Sequence, residues 1–149
     1  MIPHAKTPEH RHAQVLFLVL TVVFGVASVV YAALPTMVGD GFRQMDMLLG
    51  GSDAGYPETQ CRIWTALAAA NVATLSLLSF RLLQDLEKNR ALHEPLFFMK
   101  TTSAVLFLAW WLAMPGARSL LVSFATDLAT GVAIWILPRR ALRSLAAQR

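Results

Sequence analysis

The chain has little of what a soluble domain is built from. Only 15% of its 149 residues are charged, where a soluble globular domain carries about a quarter. Hydrophobic residues make up 56%, far too many for a disordered chain. Its one cysteine, Cys61, excludes a disulfide scaffold. Catalytic and nucleotide-binding signatures are missing as well: HExxH, CxxC, a P-loop, a dinucleotide-binding glycine pattern and GxSxG do not occur. The glycine-rich stretch from Gly50 to Gly55 has no Lys-Ser/Thr pair after it, so it is no phosphate cradle. Acidic residues are few, 9 against 13 Lys and Arg. The bases flank apolar runs instead of forming a patch, which argues against nucleic acid and for membrane topology signals. No residue pattern points to a cofactor or a resident metal.

What is present is four long apolar runs. A bilayer core of about 30 Å takes about 20 helical residues, and the stretches at about 13–34, 62–83, 95–115 and 118–137 meet that length. They predict an all-α integral membrane protein, a four-helix transmembrane bundle forming a single transmembrane domain. Residues 1–12 form a lead, 35–60 an outer loop and 138–149 a basic tail. Val30-Tyr31-Ala32 loosely resembles a cleavage site, but the first run is longer than the apolar core of a signal peptide and reads as a retained span. In the outer loop Phe42, Met45, Leu48 and Leu49 recur at helical spacing around Arg43, Gln44 and Asp46. That pattern predicts a short amphipathic helix on the outer surface. Pro115 and Gly116 predict a tight hairpin between the last two spans.

The basic residues set an orientation. Lys6, Arg11, Arg81, Lys88, Arg90, Arg139, Arg140, Arg143 and Arg149 fall on the side of the N-terminus, against Arg43, Arg62 and Arg118 on the other. The asymmetry predicts both termini in the cytoplasm of a cell inner (plasma) membrane. Tyr31, Trp64, Trp110 and Trp111 then fall near the outer interface, and Phe97, Phe98 and Trp135 near the inner one, where rings of this kind are favoured.

Within the spans, the polar residues carry the functional expectation. Asp127 falls near mid-bilayer, where a charged side chain costs about 2.5–3.5 kcal/mol on insertion scales unless a cation or donors compensate. Ser123, Thr126 and Thr130, with Ser119, share or adjoin its helix face and predict a polar stripe turned to the bundle interior. Asn71 sits at similar depth among Ala66, Ala68, Ala69, Ala70 and Ala73, the small residues that let membrane helices approach closely. An Asn71–Asp127 hydrogen bond is therefore expected. Lys100 can snorkel to the cytoplasm or point inward. Counted from span ends, it lies roughly 7 Å below Asp127, so a water or a flexed helix is expected between them.

The remaining groups read more plainly. His4, His10 and His12 form a flexible polar lead without a scaffold for a metal, and His93 falls in a loop. Met37, Met45 and Met47 read as lipid-facing residues rather than copper ligands.

Three functional classes fit. The first is transport of a proton, cation or small solute past Asp127, in a homo-oligomer because one chain encloses little volume. The second is a non-catalytic subunit of a larger membrane complex, or a binder of a lipid or other hydrophobic ligand. A membrane enzyme using Asp127 as acid or base would need Asp40 or Asp46 beside it. Cys61 reports the orientation directly. A membrane-impermeant maleimide should label it in intact spheroplasts, and labelling only after permeabilisation would invert the topology.

Overall fold

The computed structural model describes residues 4–52 and 62–149. Cys61 and residues 53–55 of the glycine-rich stretch lie outside them. Among the described residues there are five α-helices: α1 (Pro8–Ala33), α2 (Pro35–Leu48), α3 (Arg62–Gln84), α4 (His93–Ala113) and α5 (Arg118–Ala146). One 3-10 turn, Arg90–Leu92, precedes α4. No strand occurs among the described residues. Helices α1, α3, α4 and α5 are each long and apolar enough to cross a membrane.

Local chemistry sets the helix ends. Thr7 caps α1, its hydroxyl accepting the His10 N–H at 3.0 Å, and Pro8 fills the first helical position, where no N–H is needed. The expected flexible lead is thus shortened. His10 is buried in the first turn of α1, and Thr7 meets Ser144 of α5 hydroxyl to hydroxyl at 2.8 Å. His93 is likewise buried as the first residue of α4, with Nδ1 against the Arg90 carbonyl. At the far end of α2, Gly50 adopts φ 71°, and the N–H groups of Gly50 and Gly51 donate to the carbonyls of Met47 and Asp46 at 3.1 and 2.8 Å. This is a Schellman ending, which needs a residue free to adopt the left-handed region.

The long helices pack in the order α3, α1, α5, α4. Close approach of α1 and α3 is marked by hydroxyls bonded across the interface. Ser28 donates to the Ala69 carbonyl at 3.0 Å and Ser76 to that of Thr21 at 2.8 Å. The buried core runs through Phe17, Leu20 and Phe24 of α1, Leu75, Leu82 and Leu83 of α3, Leu96 of α4 and Ile134 and Ala141 of α5. Helices α3 and α4 close the row least. The start of α1 and the end of α5 lie at the end of the bundle opposite α2. There Glu87, between α3 and α4, receives Lys6 at 4.0 Å and Arg149 at 2.6 Å.

The amphipathic helix starts earlier than expected, and one of its polar residues is turned inward. Leu34 alone separates it from α1, and Asp46, placed by pattern on the polar face, is fully buried. The cause is the start of α5, which has no cap side chain of its own. Its Ser119 N–H donates to the Asp46 carboxylate at 2.6 Å, so an acid from α2 satisfies a free helix-start donor and meets the positive end of the helix dipole. Nearby, Ser52 N–H donates to the Gly116 carbonyl at 3.3 Å. A side chain at Gly51 would collide with the Gly116 carbonyl oxygen, so this crossing requires glycine there. Replacing the capping acid, Asp46→Ala, should destabilise the fold by about 1 kcal/mol or more, read as a lower melting temperature. An unchanged melt would remove the cap from the account.

Candidate functional site

The polar centre lies between α4 and α5. Lys100 Nζ meets Asp127 Oδ1 at 2.6 Å, with the two side chains only 12% and 14% exposed. Ser103 donates its hydroxyl to the other carboxylate oxygen, Oδ2, also at 2.6 Å. The Lys100 ammonium lies 4.7 Å from the centroid of the Phe24 ring on α1, close enough for cation–π attraction. Asp127 is therefore sheltered, but not alone.

The bridging water expected between Lys100 and Asp127 is replaced by direct contact. The gap counted from span ends was nearly right, and it was the reach of the lysine side chain that was underestimated. Gly131 marks the register. A Cβ there would lie 3.3 Å from Thr101 Cγ2 and 3.8 Å from Lys100 Cβ, which puts Gly131 at the height of Lys100. Asp127, one helical turn away, is then about 6 Å higher, a distance the lysine stem spans.

Two further expectations are corrected. Ser123, Thr126 and Thr130 bond back to their own helix, to the carbonyls of Ser119, Ser123 and Thr126 at 2.9, 3.0 and 2.7 Å. Such back-bonding is the local alternative open to hydroxyls in apolar surroundings, and Thr126 and its neighbours do not form an inward stripe. Asn71 does not reach Asp127, because α1 lies between α3 and α5. Asp40 pairs with Arg43 at 3.6 Å and Asp46 with Ser119, so neither provides Asp127 with a carboxylate partner.

Asn71 instead faces a groove between α3 and α4 with a cavity of about 440 Å³. Across from it α4 contributes Phe98, Met99, Thr102, Ser103, Leu106, Phe107 and Trp110. Among the described residues the Asn71 amide has no hydrogen-bonding partner, and the residue is exposed. Ser103 thus joins the two features, one side on the ion pair and the other on the groove. The sequence analysis passed over it, although its i,i+3 spacing from Lys100 put both on one helix face.

The fold and site define a class: an all-helical protein with four helices long and apolar enough to span a membrane, carrying a sheltered ion pair beside a lateral groove. No known protein family, curated protein or solved structure matches the chain. The pair makes its own prediction. Lys100→Met leaves a buried carboxylate unpaired and should cost about 3–5 kcal/mol, whereas the Lys100→Met, Asp127→Leu double variant should recover most of it. Unfolding in mixed detergent reads both. A double variant as unstable as the single one would show that the pair is not the coupled unit.

Proposed function

We propose that the protein is a membrane-embedded binder of a hydrophobic, lipid-like ligand, which enters sideways from the bilayer into the groove between α3 and α4. The observation that carries this reading is the unpaired Asn71 amide at the mid-length of an apolar helix. A polar group in hydrocarbon costs free energy until it finds a partner. The groove it faces is mostly apolar, with Asn71, Thr102 and Ser103 among its lining, a make-up common in small-molecule sites. Its volume falls in the range of about 300–1,000 Å³ common for such sites.

Permeation past Asp127 has less support, because Lys100 already occupies the carboxylate and a passing cation would have to displace it. Both termini are assigned to the cytoplasm of an inner membrane on the Lys and Arg asymmetry, and their shared position at one end of the bundle suits that assignment.

Native mass spectrometry of the protein released from membranes tests the reading. The unmodified chain should retain an apolar adduct about tenfold more than an Asn71→Leu, Ser103→Ala variant, the worth of about two hydrogen bonds. Equal adduct on both would contradict it. A dimer that falls to monomer on Asn71→Leu, with no adduct in either form, would instead make the groove a subunit interface.

A further inference from the structure

Helix α5 does not end where its apolar run ends. Twenty residues separate Arg118 from Arg139, with Asp127 the one charge among them. They make about 30 Å of helix, the thickness of a hydrocarbon core. The helix then continues to Ala146. Pro138, Ala141 and Leu145 of this extension are buried, and Ser144 meets Thr7 at 2.8 Å, so one face is anchored on the bundle. The opposite face carries Arg139, Arg140 and Arg143. Helical spacing puts Arg143 beside both of the others, at i+3 from Arg140 and i+4 from Arg139.

Two observations separate this face from an ordinary solvated charge run. The first is the lack of counter-ions. Among the described residues none of the three arginines pairs with an acid. Glu87 is taken by Lys6 and Arg149, and Asp85 accepts the Lys88 N–H. The second is that one guanidinium is held in place. Arg139 lies over the Trp135 indole, its guanidinium carbon 3.0 Å from the ring centroid. Trp135 in turn packs on Phe97 of α4, with ring centroids 4.7 Å apart. A stacked guanidinium uses its flat face and keeps its N–H groups free in its own plane, where they suit two parallel bonds to a phosphate.

Depth supplies the anion. Arg139 falls at the edge of the hydrocarbon core, and Arg143 is about 6 Å further along the axis, within a headgroup layer roughly 5–7 Å thick. Trp135, one turn deeper and 37% exposed, is at the level where indoles are favoured. Phosphates of that leaflet are the first anions these guanidinia meet. A zwitterionic headgroup offsets its own phosphate, whereas an anionic one brings net charge to three cations that lack a partner.

We propose that Arg139, Arg140 and Arg143 form a headgroup site for an anionic phospholipid, its phosphate bound by the Arg139 guanidinium that Trp135 holds. The site is separate from the groove between α3 and α4, and neither reading depends on the other.

The full chain in nanodiscs of phosphatidylcholine, with phosphatidylglycerol as the minor lipid, tests it. Native mass spectrometry of the released protein counts the lipids that stay bound. Phosphatidylglycerol should be retained at least about fivefold above its share of the disc, the contribution of one arginine at an anionic surface. The triple variant Arg139→Gln, Arg140→Gln, Arg143→Gln should retain the two lipids in their disc proportion. A matched variant, Arg11→Gln, Arg81→Gln, Lys88→Gln, removes the same charge from the same end and should keep the preference. Trp135→Leu keeps every charge and should lower the preference, because Arg139 is released. Equal loss in the matched variant would reduce the effect to diffuse charge and overturn the site. Retention of phosphatidylglycerol at its disc share by the unmodified chain would overturn it as well, and an unchanged preference in Trp135→Leu would overturn the held guanidinium.

Discussion

A lysine on one helix meets an acid on another, and the polar part of the structure depends on that contact. Gly131 faces Thr101 where α4 lies close against α5, and Lys100 reaches up one turn to Asp127. An isolated charge among apolar helices would be expensive. Two opposite charges in contact, with Ser103 satisfying the second carboxylate oxygen, form a compact dipole whose cost is far lower. The pairing couples α4 to α5 and engages the Ser103 hydroxyl.

The two ends of the bundle are secured by different chemistry. At the α2 end a buried acid caps a helix belonging to a different part of the chain, and the glycine-bearing crossing at Gly116 keeps the α4–α5 turn against the segment after α2. At the end carrying the termini the contacts of Glu87 are exposed ion pairs, each worth little. There the apolar core around Phe17, Leu82, Leu96 and Ile134 supplies the packing. The row of helices is consequently firm through α1 and α5 and open between its outer members, which is where the groove lies.

Much of the architecture could be read from the sequence because run length and breaker residues are local signals. The four long helices follow from apolar runs of sufficient length, and the α4–α5 hairpin from Pro115 and Gly116. The sheltering of Asp127 was also legible, since a lone acid in such a run needs compensation. What was not legible depends on the order in which helices pack and on which side chains then meet. Nothing in the spacing says that α1 separates Asn71 from Asp127. Asp46 was assigned to solvent because a hydrophobic pattern does not register the uncapped N–H groups of a distant helix. Ser103 was overlooked for a similar reason: a hydroxyl in an apolar helix gains meaning only from the carboxylate it meets.

The ion pair requires an ionised Asp127. The charge state of that one carboxyl therefore decides whether Lys100 and Ser103 are held as described. Infrared spectroscopy of the chain carrying isotope-labelled aspartate, with the Asp127→Asn spectrum subtracted, measures it most directly. At neutral pH the account predicts that Asp127 contributes the paired stretches of an ionised carboxylate. A neutral-acid band already present in the unmodified protein would contradict the ion pair.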